Sequence, residues 1–318
     1  MIRLLFAFIL ILSSICACDT DKKSPPETID SHRIERDTTQ SKIEKPKLLG
    51  DDLFKYPEEP PIPKTSSVNV NDYLCEIKES ADGKQRCLTF SRNGKKIRSD
   101  CSEIGFFSIL MSPPAGTDIN GDGIPDIIVE YYSGGAHCCF QYSVFSLGDR
   151  MKLVAVLNGE HSVLEFKDLD GDGKHEVIGR DWTFAYWYAS FAGSPAPEII
   201  LHWNNGKYRL SEDLMKKTYD LNDVRKTAEE FRRDALPESE SNQSLHWEAR
   251  WWAAMLELIY SGNGDIAWKF FDWFWPVPDE KSLKEKWLTD KKKFLAEFKK
   301  QLRMSPYWID LKKLNGWQ

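Results

Sequence analysis

Four common signatures of catalysis are missing from the chain. It has no GxSxG elbow, no HExxH pair, no CxxC and no glycine-rich phosphate cradle, so the short motifs of serine hydrolases, zinc peptidases, dithiol redox enzymes and nucleotide-binding enzymes lend it nothing. Strong charge of one sign is missing too. A formal net charge of −6 over 318 residues, with no basic stripe in the strand-rich half, lacks the electrostatic footprint of a nucleic-acid binder. Long apolar runs are absent: residues 4–12 form the apolar core of an export signal, too short for a membrane span. Residues 19–66 are almost without aromatics and run to Lys, Asp, Glu, Ser, Thr and Pro. Such a segment cannot bury enough apolar surface to offset its conformational entropy, and it reads as a disordered tether with an extended Pro-rich end. What remains is globular in composition, with 41% hydrophobic residues and length for two modest domains.

The most informative stretch is TDINGDGIPDII. Asp118, Asn120, Asp122 and Asp126 fall at positions 1, 3, 5 and 9 of a tight loop, and Ile124 offers its carbonyl at position 7. Oxygen-only ligation at this spacing suits Ca²⁺ better than the smaller, strictly octahedral Mg²⁺. About fifty residues later FKDLDGDGKHEVI repeats the grammar, with Asp168, Asp170, Asp172 and Glu176 in the same four positions and Lys174 in the backbone one. Two ions are therefore expected. Neither loop is an EF-hand, because position 12 is Val129 in one and Gly179 in the other.

Each loop runs instead into a β-branched segment. In this the chain resembles the FG-GAP or VCBS-type repeat of integrin α-subunits and bacterial surface proteins, D-x-[DN]-x-DG-x-x-[DE] followed by a hydrophobic strand, over roughly residues 104–210. The resemblance implies Ca²⁺ in inter-strand loops of a propeller-like β fold, in proteins that mostly bind or adhere. Two loops are visible, whereas a closed propeller takes at least about four blades.

At the N-terminus Arg3 supplies the positive charge of a signal peptide over 1–18. Ile15-Cys16-Ala17-Cys18 resembles a bacterial lipobox, which implies lipidation of Cys18, since Ala17 is small and Ile15 is not. A plain secretory signal with incidental cysteines is the alternative. Asp19 resembles the residue that retains lipoproteins in the inner membrane. The expected location is thus the bacterial cell envelope, lipid-anchored and facing the periplasm, with the inner membrane favoured over the outer.

Short alternating runs from residue 68 to 210, separated by Gly, Asn and Asp, describe a mainly antiparallel β domain over 67–212, propeller-like or sandwich. TFAYWYASFA is counted among its strands. In an exported protein the five cysteines beyond the lipobox point to disulfides. Cys75 and Cys87 lie on consecutive runs and could meet, leaving Cys101 with Cys138 or Cys139; the connectivity stays open, and bonding of Cys138 to Cys139 is a further option. His137, Cys138 and Cys139 as soft-metal ligands, or as a nucleophilic pair, are disfavoured because neighbouring side chains on a strand point apart. Trp182, Tyr186, Trp187 and Tyr188 form either a sugar or peptide platform or a core face, with the core face preferred.

After Leu210 the apolar period changes from two to 3.6. Helices are predicted over 222–236, 245–260, 265–275, 282–302 and 306–314, giving a small all-α domain over 213–318 and an α+β chain overall. ELIYSGNGDIAWKFFDWFWP is similar to a single tetratricopeptide unit and implies a helical hairpin with its turn at Gly262 and Gly264. The tryptophans here are read as core filling rather than as an interface, and the lysine run 281–300 as a solvated face.

These features lead to a non-catalytic, calcium-bearing envelope protein that binds an envelope protein or glycan partner. An inhibitor or immunity lipoprotein against a periplasmic hydrolase or toxin is one alternative. An envelope enzyme acting on glycan or peptide, with Glu160 and His161 as the acid–base material outside the loops, is another.

Overall fold

The computed structural model describes Leu48 and residues 64–135, 138–234, 247–275 and 290–318. Cys18 and the rest of the signal, nearly all of the tether, His137, Pro237, Pro276, and Lys281, Lys284 and Lys286 lie outside the described residues.

Three antiparallel sheets make up the β part. The first is a meander of β2 (Ser67–Val70), β3 (Tyr73–Glu79), β4 (Arg86–Arg92) and β5 (Lys95–Ser102). Its hairpins turn at Asn71 and at Asn93-Gly94, all with positive φ, the conformation that a two-residue turn needs and that Asn and Gly adopt most readily. The central sheet has the order β1-β6-β7-β8-β9, from β1 (Lys64–Thr65), β6 (Phe106–Leu110), β7 (Asp126–Gly135), β8 (Cys138–Leu147) and β9 (Met151–Glu160). The third is a second meander of β10 (Glu165–Lys167), β11 (Glu176–Arg180), β12 (Glu198–Asn204) and β13 (Lys207–Leu210).

The run Ile127–Val129 near the start of β7 is apolar without alternation because the central sheet is covered there on both faces. Ile127 and Val129, with Phe145 and Leu147 of β8, pack on Tyr73, Cys75, Leu88 and Phe90 of the first sheet. Ile128, Tyr142 and Val144 point the other way, into one core with Phe166, Val177, Ile199 and Leu201 of the third sheet. Period-two alternation is thus spent on choosing between two cores rather than between core and water. Each such side chain, fully buried, stabilises by about 1.5–3 kcal/mol.

Six helices follow among the described residues: α1 (Glu212–Met215), α2 (Leu221–Asp234), α3 (Trp247–Tyr260), α4 (Gly264–Phe274), α5 (Lys291–Leu302) and α6 (Trp308–Leu314). The chain is α+β, mainly antiparallel β and then helical, with open sheets. The core of the third sheet continues into Val224, Trp252, Met255, Phe298 and Leu311, so the helices and the third sheet are packed as one body across residue 212. Trp251 and Trp252 are fully buried, and Trp251 stacks on Phe274 with centroids 4.6 Å apart. Large rings fill this core, as expected of tryptophans in a small helical unit. The expected hairpin of α3 and α4 forms, with Gly262 at φ 76° in its turn. The short helix α1 was not anticipated.

Two expectations need correcting. TFAYWYASFA is not a strand: between β11 and β12 the chain makes turns, with Tyr186 and Tyr188 at φ 60° and 50° and a short 3-10 segment at Phe191–Gly193. Its aromatics occupy both parities of the alternation, and no single sheet face could have taken them all. Cys75 does not meet Cys87. In register, Cys75 opposes Phe90 and Cys87 opposes Lys78 across β3–β4, whereas Cys87 and Cys101 are direct partners across β4–β5 and are disulfide-bonded. Cys138 is joined to Cys139, and Cys75 is the free cysteine, buried.

Candidate functional site

Each acidic loop joins the first two strands of a four-strand meander, β6 to β7 and β10 to β11. Both are closed by the residue before position 1. The Asp126 amide donates to the Thr117 carbonyl at 3.1 Å, and Lys167 is the register partner of Glu176.

Inside, the two loops follow one hydrogen-bonding plan. At position 1, Asp118 accepts from the Gly121 and Gly123 amides at 2.8 and 2.7 Å; Asp168 accepts from Gly171 and Gly173 at 2.7 and 3.1 Å. At position 3, Asn120 and Asp170 accept from the amide of position 5. At position 5, Asp122 and Asp172 accept from the amide of position 7. The position-9 carboxylates reach back to position 2, Asp126 to the Ile119 amide at 3.0 Å and Glu176 to Leu169 at 2.8 Å. The glycines at positions 4 and 6 lie at φ 76–86° in both loops, a left-handed conformation that disfavours any residue with a Cβ.

Asp168, Asp170 and Glu176 bring ligand oxygens within 4.8 Å of one another, the one such group of three His, Cys, Asp or Glu among the described residues. Asp172 is turned aside, its Oδ2 accepting from Lys174 Nζ at 2.6 Å. That ion pair, more than backbone hydrogen bonding and the charge attraction behind it, holds the Asp172 carboxyl below the usual carboxylate range. In the first loop Asp126 is 2% exposed, and its Oδ1 has no hydrogen bond of good geometry among the described residues. Burial, helped by the charges of Asp122 and Asp118, pushes its carboxyl up to about 7 against the opposing pull of the Ile119 amide and, more weakly, of Ser146, its register partner on β8. A buried carboxylate oxygen without a donor is costly unless a cation or proton meets it. The donor set is oxygen throughout, which fits a hard cation.

The loops touch. The His175 amide donates to the Ile119 carbonyl at 2.9 Å. A Cβ added at Gly121 would lie 2.9 Å from Lys174 Cγ, so the lysine stem rests on the first loop. Behind the contact sits Tyr208 of β13, whose hydroxyl is buried without a hydrogen bond among the described residues. Burial, then the charges of Asp126 and Glu176, push that phenol well above its ordinary value.

The aromatic candidates separate. Trp182 is buried, donates to Ser162 Oγ at 3.1 Å and stacks on Phe191; Trp187 packs edge-on against Trp252 and Phe294. Tyr186 and Tyr188 are the exposed members, at 59% and 44%. Glu160 takes φ 52°, and partial burial of its carboxyl, then the charge of Asp181, raises it above its ordinary value. His161 meets Trp182 and Phe191 edge to face. A cleft of about 230 Å³ between the third sheet and the helices is lined by Arg180, Glu198, Ile200, Met215 and Glu257 among others, and Glu257 accepts from Tyr219 there at 2.7 Å. It is below the usual ~300 Å³ floor for ligand pockets.

Sequence reasoning missed two buried groups. Asp181 accepts from Tyr260 of α3, Ser305 ahead of α6 and the Thr183 amide, tying the helices to the sheet. Tyr208 is the other. Neither belongs to a motif, and only the fold brings their partners from 124 and about 80 residues away.

No family model and no solved structure matches the chain. One curated protein, named "Probable thylakoid lumen protein", of Synechocystis sp., is 34% identical over 97 residues, 29% of this chain and 28% of the relative. The chain thus spans under a third of that relative's length.

Proposed function

We propose that the chain is an extracytoplasmic calcium-binding protein, anchored through lipid on Cys18, that presents its body to a protein or glycan partner without catalysing a reaction. The observation that carries this reading is the buried, undonated Oδ1 of Asp126 inside a loop whose hydrogen-bond plan is duplicated fifty residues on. Ca²⁺ on the first loop would be held by Asp118, Asn120, Asp122, Asp126 and the Ile124 carbonyl; on the second by Asp168, Asp170, Asp172, Glu176 and the Lys174 carbonyl, with Asp172 released from its lysine. The position of both loops between the first two strands of a meander supports the likeness to FG-GAP or VCBS repeats.

The compartment follows from two supports. The Cys87–Cys101 bridge belongs in an oxidising environment, and the matching Synechocystis protein carries a lumenal name. The ion's task is mechanical: each loop gathers three or four carboxylates, and neutralising them stabilises the fold by about 2.7 kcal/mol per site at a hundredfold excess over Kd. Tyr186 and Tyr188, exposed beside the packed aromatics, are the surface offered to the partner.

Asp122→Ala combined with Asp172→Ala tests the reading. Thermal stability in calcium should fall and should no longer respond to a chelator; an unchanged melting curve with an unchanged chelator response would sink it. Cys18→Ser should leave an unlipidated precursor, and release of the unmodified protein from membranes by salt alone would contradict the anchor.

A further inference from the structure

We infer that the two acidic loops form one coupled cation pair, in which loading either loop tightens the other; this rests on the calcium reading above. Ile119 carries the coupling. Its amide is held by the Asp126 carboxylate, and its carbonyl receives the His175 amide, one residue before Glu176. A cation that fixes Asp126 through the free Oδ1 therefore fixes the Ile119 peptide unit, and with it the approach of Glu176 to the second loop.

The link is one-sided by sequence. The residue of the first loop equivalent to His175 is Pro125, which has no amide hydrogen to return the bond. A further contact closes the interface: the stem of Lys174 rests on Gly121. A cation in the second loop must draw Asp172 off Lys174 Nζ, which rearranges the side chain seated on the first loop.

Charge works against this coupling, because a dication in one loop lowers the negative potential felt by the other. The first loop carries three carboxylates, and the second carries four against one lysine, so each loop stays net acidic after binding one dication and the opposition is between largely neutralised loops. The shared ordering of Ile119 and His175 outweighs it and sets the direction of coupling.

The test is calcium titration of the full chain by calorimetry, alongside Asp122→Asn and Asp172→Asn. Both substitutions keep the side-chain carbonyl that accepts the loop amide. Each variant should lose one site and bind at the remaining one at least about fivefold more weakly, by the same factor in both directions, as linkage requires. In the unmodified chain at half saturation, native mass spectrometry should find unloaded and doubly loaded protein in excess of the singly loaded form. A remaining site with unchanged Kd, or a dominant singly loaded species, overturns the coupling and leaves the calcium reading standing. Absence of calcium uptake by the unmodified chain overturns both.

Discussion

The first loop is a wall and the second a rim, although residue for residue they follow the same plan. Ile119 is 1% exposed and its counterpart Leu169 is 40% exposed; Asn120 is buried and Asp170 faces water. The difference shows what a motif does not specify. Spacing places carboxylates in a ring, but burial decides what their charge costs. Asp126, walled in, is pushed toward protonation, while Asp172, in water, takes the nearest lysine.

The sharpest way to break that contrast is to remove the buried charge. The Asp126 carboxyl is raised from 3.8 to about 7, so the stability it contributes is full below about pH 4 and is lost as pH rises through about 7. Three units correspond to roughly 4 kcal/mol as an upper bound. Metal-free Asp126→Asn should melt higher than the unmodified chain at pH 8 and show a flatter pH dependence by scanning calorimetry. An Asp126→Asn variant that melts no higher at pH 8 would remove the cost assigned to the walled-in charge.

Next in size are the glycines. Gly121→Ala and Gly171→Ala each force a Cβ into the left-handed region, at about 1–2 kcal/mol. Gly121→Ala must in addition move Lys174, whereas nothing crowds Gly171. Urea unfolding should rank Gly121→Ala as the more damaging; a reversed order would mean that the loops do not touch in solution. The smallest effect belongs to Lys174→Ala, since an exposed ion pair contributes up to about 1 kcal/mol. Urea stability should barely move, while calcium affinity at the second loop rises because Asp172 no longer has a competing cation. An unchanged affinity would show that the lysine does not compete with the ion.

Much of this architecture was legible in the sequence. The meanders, their Asn-Gly turns, and five of the six helices along much of their length are local matters of period and turn chemistry, and the acidic loops are local in the same sense. TFAYWYASFA is no strand because its neighbour Asp181 is tied to Tyr260 and Ser305, which lie far along the chain. The Cys75–Cys87 pairing failed for a register reason. Consecutive strands bring two cysteines close only when they fall on the same rung, and Cys101 is the one on the rung of Cys87. Burial then leaves Cys75 as an inert thiol, its ionisation pushed up to about 12. The contact between the loops was out of reach, because nothing local tells Ile119 that His175 will face it.

The core that joins the third sheet to the helices includes Leu110 and Ile128 at one end of the chain and Leu311 and Leu314 at the other. A ribosome delivers these in order, so the helix-facing side of β11 and β12 stays bare through the synthesis of most of the C-terminal third. Contacts of such long sequence separation also form slowly once their partners exist. Chains cut short before α6 would lose the cover of β13, where Asp310 meets Arg209 and the amide of buried Leu210, and the burden of a late stop codon would fall on the sheet as well as on the helix it removes.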